Sequence, residues 1–238
     1  MSAASTLGRM AQAVTEDSTT DGSHVASARP LSEQAYERIR DDIVYLRLEP
    51  GEPLDDKALS SALGMGLTPV RDALKRLTLE RMVVTYPRRG TFVAEITVSD
   101  EHWLTEIRTN LEGVAAGLAA ERATATERES LTELASRLAD DHANHVTSAY
   151  HALDSDIHKA VYAAAHNPFL EASLTQYLNL TIRIWHYGLR RVPSHHSVGR
   201  DQQDVVAAIV RGDVDGAVEA ARAHLGDYSS AVRSLLAR

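Results

Sequence analysis

Apolar residues first recur at a regular interval behind Pro30. Tyr36, Ile39, Ile43 and Leu46 stand three or four positions apart, which places them on one face of a helix. Ser32 is suited to cap that helix, and Leu48-Glu49-Pro50-Gly51 ends it in a turn. A shorter stripe of Ala58, Leu59, Ala62 and Leu63 follows Asp55 and Asp56, either of which can cap it. Gly64 closes it in the left-handed conformation that glycine tolerates best. Beyond Gly64-Met65-Gly66-Leu67 a third stripe, Val70, Ala73, Leu74 and Leu77, begins behind Thr68 as N-cap, with Pro69 at the first helical position. Two β-prone runs, Met82 to Tyr86 and Thr91 to Ala94, are joined by Pro87-Arg88-Arg89-Gly90 and predict a hairpin with a basic tip. Helix, short helix, turn, helix, hairpin is the order of a winged helix-turn-helix.

After about Thr97 every long segment has helical period. Leu104, Ile107, Leu111, Val114 and Leu118 mark one helix, and Leu131, Leu134 and Leu138 a second. A third carries Tyr150, Ile157 and Val161 and stops at Asn167-Pro168; a fourth runs from about Phe169 to Arg190, before Pro193-Ser194-His195-His196. Two more flank Gly212-Asp213. The fold class predicted is mostly α: an N-terminal winged helix-turn-helix, then an antiparallel all-α bundle of six or seven helices. Residues 1–28 have no sustained period and a Ser, Thr, Ala, Gly and Asp bias, and are expected to form a flexible tail. Residues 29–97 form the first domain and 98–238 the second, with Glu95 to Ser99 as linker.

At 238 residues, 44% hydrophobic and 24% charged, the chain has the balance of a globular protein with a sizeable core. It has no cysteine, which excludes disulfides, thiolate metal sites and a cysteine nucleophile. No run of about 18 apolar residues and no basic-then-apolar leader is present, so a cytoplasmic protein is expected. The net charge of −8 argues against an anionic partner until it is divided along the chain. Residues 29–94 carry 11 basic and 10 acidic side chains, residues 95–238 carry 13 and 20, and residues 67–89 alone carry 6 against 2. A basic surface survives within an acidic chain.

That surface coincides with the helix-turn-helix and its wing. A helix entering the major groove exposes its first turn to base edges, here Thr68 and Arg71, with Lys75 one turn on. An arginine fork can bond guanine O6 and N7 together. Arg88 and Arg89 at the wing tip can reach the minor groove or its phosphates, and Lys57 the backbone. Taken singly, each would also serve as an ordinary solvated charge. In order along the chain, Pro50-Gly51-Glu52-Pro53-Leu54, Thr68-Pro69-Val70-Arg71-Asp72-Ala73-Leu74 and Arg89-Gly90-Thr91-Phe92-Val93 resemble the signature of the GntR family of bacterial transcription regulators. The resemblance implies that Lys57, Thr68, Arg71 and the wing tip at Arg89-Gly90 contact operator DNA. It also marks a departure: Gly66-Leu67 stand where the family has a small hydroxyl residue and an arginine. Leucine can touch a thymine methyl but cannot bond guanine, so a different operator sequence is expected.

In the bundle, polar residues interrupt apolar stripes. Asp154 lies between Tyr150 and Ile157 on their face, with His158 one turn later; His224 breaks the stripe Ala217, Ala221, Leu225, Tyr228 and Val232; Gln202 precedes Val205 and Ile209. Buried unpaired they would cost several kcal/mol, so they need one another, water or a cation such as zinc. Glu106-Ile107-Arg108-Thr109-Asn110-Leu111-Glu112, Ala119-Ala120-Glu121-Arg122-Ala123, Asp154-x-x-x-His158 with Asn167-Pro168, Ala208-Ile209-Val210-Arg211-Gly212-Asp213 and Ala223-His224-Leu225 resemble the FCD ligand-binding domain of the FadR subfamily. In its metal-binding members an aspartate and three histidines hold the cation, and an effector carboxylate completes the coordination. Asp154, His158 and His224 match three of these ligands, and Gln202 stands where the remaining histidine falls. An amide oxygen is the weaker ligand, which implies reduced affinity or a harder metal, and His195 or His196 could substitute.

Arg108 is a candidate for an effector carboxylate or for a surface salt bridge, while Trp185 and His186 read as packing residues. The expected function is a homodimeric, sequence-specific DNA-binding regulator controlled by a small organic acid, with double-stranded operator DNA as partner and no membrane association. A helical metallohydrolase with an attached winged helix, using water activated at Asp154, His158 and His224, is the alternative from another class, although no general base is evident. A third reading is a protein-binding or architectural helical module, which would show no sequence-specific DNA affinity.

Overall fold

A computed structural model of the chain describes residues 29–143, 148–190 and 201–236. The tail read over residues 1–28 and the His195-His196 loop lie outside them, as do the side chains of Tyr150, Tyr228 and Val232. The first helix, α1 (Leu31–Val44), buries Ala35, Tyr36, Ile39 and Ile43. It begins directly behind Pro30, whose fixed φ suits a helix entry, so Ser32 lies inside the first turn and does not cap it. A two-residue strand, β1 (Pro53–Leu54), leads to α2 (Asp56–Leu63). Asp55 caps α2 by accepting from the Ala58 N–H at 2.7 Å, and Gly64 closes it at φ 64°.

Gly66, with no side chain to offer, is the N-cap of α3 (Leu67–Leu79). Thr68 is therefore the second helical residue, not the cap, and Pro69 the third. Proline is tolerated there because first-turn N–H groups have no intrahelical partner. The hairpin is β2 (Val83–Tyr86) with β3 (Gly90–Val93), and β1 pairs with the other edge of β3, giving the order β1-β3-β2. Ile39, Ile43, Val70, Leu77 and Met82 form the centre of this head.

Six helices follow among the described residues: α4 (Val98–Arg122), α5 (Ala125–Ala143), α6 (Ser148–Ala164), α7 (Pro168–Leu189), α8 (Asp201–Arg211) and α9 (Val214–Leu236). A reciprocal capping box between Thr97 and Asp100 starts α4, and Asn167 followed by Pro168 starts α7. Leu131, Leu138, Ile157, Ile209 and Ala217 fill the bundle core. None of the described helices is long and apolar enough to cross a membrane.

The apolar stripe expected on α4 is its buried face only in part: Leu111 and Leu118 pack half-buried beside Tyr162 and Leu174. Ile107 and Val114 are exposed, whereas Arg108, Glu112, Ala115, Ala116 and Ala119 are buried. Two causes act together. Arg108 and Glu112 neutralise each other one turn apart, so the helix can bury a charged pair. The small residues then admit a close neighbour: a Cβ on Gly117 would stand 2.9 Å from Val218 Cγ2 on α9. Gly117→Leu should accordingly destabilise the protein by about 1–3 kcal/mol through overpacking, read as a lower urea midpoint with unchanged m-value. An unchanged midpoint would show that α4 and α9 separate freely.

Candidate nucleic-acid interface and metal centre

Lys57, Thr68, Arg71, Lys75, Arg88, Arg89 and Gly90 are all exposed. Val70, Ala73, Leu74 and Leu77 fix the opposite face of α3 in the core, which leaves Thr68, Arg71 and Lys75 on the outside. Arg71 Nε donates to Asp56 on α2 at 2.7 Å, and Lys75 pairs with Asp72 at 3.0 Å. Exposed pairs of this kind contribute about 1 kcal/mol or less, so a phosphate or base edge can displace them. Arg76 is differently employed: it bonds Glu33 at 2.7 Å and Glu80 at 3.1 Å and lies 3.5 Å from the Tyr36 ring centroid, tying α1 to α3.

The wing turns at Pro87-Arg88-Arg89, where the Arg89 N–H donates to the Tyr86 carbonyl. Arg88 adopts φ 64° and Gly90 φ 104°. A left-handed arginine costs about 1–2 kcal/mol; here it sits at the tip, beside a second exposed cation.

In the bundle, α6 brings Asp154 and His158 to one face, α9 supplies His224 and α8 supplies Gln202. Ligand atoms of Asp154, His158 and His224 all lie within 4.8 Å of one another. Gln202, only 2% exposed, donates its amide nitrogen to Asp154 Oδ1 at 3.1 Å and faces His224 Nε2 at 3.4 Å. The sequence reading missed the group behind His158. Its Nδ1 lies 3.0 Å from Glu112 Oε2; Glu112 also accepts from the Tyr162 hydroxyl at 2.8 Å and from Arg108 Nε at 2.7 Å. Both missed residues stand one helical turn from residues already singled out, Glu112 from Arg108 and Tyr162 from His158, and that spacing was the available signal.

Arg108 is 3% exposed, so its partner is a buried carboxylate and the surface salt bridge is ruled out. Its side chain also lines a small cavity, about 20 Å³, with Asp154, His158 and His224. Trp185 is buried, and the His186 ring lies 5.2 Å from that of Tyr45.

Electrostatics divide the two histidines. Burial alone would lower the His158 pKa, but the charge and hydrogen bond of Glu112, with Asp154, raise it above its ordinary value. His224 is pushed down to about 4 by burial and the neighbouring His158 charge. Burial would raise the Glu112 carboxyl, yet Arg108 and His158 hold it well below the usual carboxylate range. The centre therefore contains a neutral imidazole and a second imidazole whose surroundings favour positive charge.

Residues 103–227 match the FCD domain and residues 31–93 the bacterial regulatory proteins of the gntR family. The chain is 23% identical to the HTH-type transcriptional repressor RspR of Escherichia coli, over 87% of this chain and 91% of that protein. It is 29% identical to the E. coli regulator YieP, over 84% of this chain and 95% of the relative. Among solved structures, E. coli McbR/YncC superposes with a TM-score of 0.75 at 22% identity, covering 87% of this chain and 99% of that one. The structural likeness bears on the fold; the two curated relatives are regulators of transcription.

Proposed function

Since the chain belongs to the gntR family of bacterial regulatory proteins and carries an FCD domain behind its DNA-binding head, we propose that α3 enters the major groove of an operator and that the bundle senses a small organic acid. Residues 29–97 then act as the DNA-binding domain and residues 98–238 as the effector-binding and dimerisation domain. Thr68 and Arg71 face base edges, Lys57 and Lys75 neutralise phosphates, and Arg88, Arg89 and Gly90 form the wing contact. The observation that carries this reading is the exposed, cation-bearing first turn of α3 beside a wing tip with two exposed arginines. Two copies related by a two-fold axis bind half-sites about one helical turn apart. Selection of bound duplexes from a random library, followed by sedimentation of the complex, tests both points. A palindromic consensus bound by a dimer is expected, whereas sequence-independent binding by a monomer refutes the reading.

The donor set at the bundle centre fits a divalent cation in three positions and opposes it in the fourth. His158 directs Nδ1 to a carboxylate, which fixes the ring as an outer carboxylate does for a metal-bound imidazole and leaves Nε2 to face Asp154 and His224. Gln202 presents its N–H where a cation would lie, and His224 Nδ1 has no partner among the described residues. Turning the Gln202 amide over would replace that donor by an oxygen ligand. We infer a weak divalent site, of the zinc type, formed by Asp154, His158, His224 and Gln202; Arg108, which lines the same small cavity and is paired with Glu112, would meet an effector carboxylate by sharing that pair. The bound cation would supply a positive centre to which that carboxylate attaches.

His158 must lose a proton to serve as ligand, and its pKa is raised. Affinity for zinc should therefore climb with pH through and above the ordinary histidine range. Calorimetric titration with zinc at pH 6 and pH 8 should show the tighter binding at pH 8, and Gln202→His should tighten it by about tenfold or more. Equal affinity in Gln202→His and the unaltered chain would sink this assignment.

A further inference from the structure

A second cavity, of about 280 Å³, opens between the end of the wing sheet and the bundle. Trp103, Leu104 and Ile107 of α4 and Tyr177 and Ile184 of α7 form its apolar wall. Arg183 of α7 also lines it, and is only 2% exposed. One terminal nitrogen of this guanidinium donates to the Ala94 carbonyl, just past β3. Its Nε has no hydrogen-bond partner among the described residues, and no carboxylate there makes an ion pair with it.

Burying a cation without a direct ion pair costs several kcal/mol. Glu95 and Asp100 also line the cavity and act on Arg183 through space, but burial outweighs them and lowers its pKa to about 10. The Asp100 carboxylate is committed to the Thr97 N–H and hydroxyl, at 2.7 and 2.8 Å. Arg81, which also lines the cavity, adds a second cation. The volume exceeds the roughly 150 Å³ of an apolar cavity that takes up benzene.

We propose that this cavity is a second ligand site, for a small monocarboxylate with a compact apolar body, whose carboxylate pairs with Arg183 while its ring or branched chain lies against Trp103 and Ile107. The site goes beyond the bundle-centre reading and does not depend on it. Its ligand touches both α4 and the segment leaving β3, so binding here bears directly on how the DNA-binding head is held.

Calorimetric titration of the full chain with benzoate and with cyclohexanecarboxylate tests the assignment. Saturable binding with a Kd below about 1 mM is expected, with the uncharged analogue benzamide at least tenfold weaker. Arg183→Met should lose at least tenfold in benzoate affinity. In Ile107→Trp, where the enlarged side chain starts from an exposed position and fills the cavity, binding should disappear while the circular-dichroism spectrum and melting temperature stay near those of the unaltered protein. His158→Ala should leave benzoate affinity within twofold. Absence of saturable binding by both acids, equal affinity in Ile107→Trp, or loss in His158→Ala alone would overturn the proposal; the last outcome would place the acid at the bundle centre instead.

Discussion

Replacing Glu112 by alanine is expected to cost about 3–5 kcal/mol of stability, the cost of breaking a buried ion pair from one side. For a chain of this length that is a fall in melting temperature of roughly ten degrees. Glu112 is the common acceptor for Arg108, Tyr162 and His158. Its removal leaves a guanidinium, a phenol and an imidazole buried around one gap. Arg108→Met combined with Glu112→Leu removes both charges of the pair and should recover the guanidinium's share of the loss, but not the share of the Tyr162 hydroxyl and His158, which still lack their acceptor.

The same carboxylate sets an acid response. Its folded pKa lies below the unfolded value, so its contribution is complete above the ordinary glutamate range, begins to fall as pH enters that range and is lost progressively as pH drops further towards the lower folded value. The Glu112→Ala variant should lack this component, and urea titrations at pH 7 and pH 4 measure it. A loss below about 1 kcal/mol at pH 7, where native surfaces usually tolerate substitution, would mean that the network is not the centre of the bundle.

The second large effect concerns recognition. On a duplex selected as above, Arg71→Ala should weaken binding by about 1–3 kcal/mol, or roughly 5- to 150-fold, and relax the consensus at one position per half-site. Lys75→Ala should weaken selected and random duplexes alike and reduce the slope of log affinity against log salt by about 1. Asp56 holds Arg71 in the free protein at 2.7 Å. Asp56→Asn should therefore tighten binding, because the guanidinium no longer has to leave a carboxylate. Identical consensus sequences for Arg71→Ala and the unaltered chain would remove α3 from the groove.

Periodicity carried the sequence reading wherever burial meant apolar burial. The stripe of Val70, Ala73, Leu74 and Leu77 is the buried face of α3, and Asp55 and Gly64 bound α2 as their chemistry requires. It failed where two residues are too few to show a period, at β1, and where charge goes inward. On α4 the apolar spacing pointed at Ile107 and Val114, but mutual neutralisation of Arg108 and Glu112 and the small Gly117 decided which side packs. The juxtaposition of Asp154, His158, His224 and Gln202 was legible because each interrupts an apolar stripe. Arg183 was not singled out, although it is the lone cation in the run Leu178-Asn179-Leu180-Thr181-Ile182-Arg183-Ile184-Trp185. That isolation was a readable sign of a buried charge.

The unbroken length of α4 has a mechanical consequence. Its 25 residues extend over about 37 Å, anchored at one end by the Thr97 and Asp100 cap beside the wing sheet and gripped midway by Glu112. Were this rod to turn rigidly about Glu112, its capped end would be the long arm. A pivot of about 10° there would swing the capped tip by about 3–4 Å, since 14 residues of helix separate the two points by roughly 21 Å. In the two-fold arrangement proposed above, such displacements would add up to about a fifth of the roughly 34 Å between successive grooves on one side of a duplex.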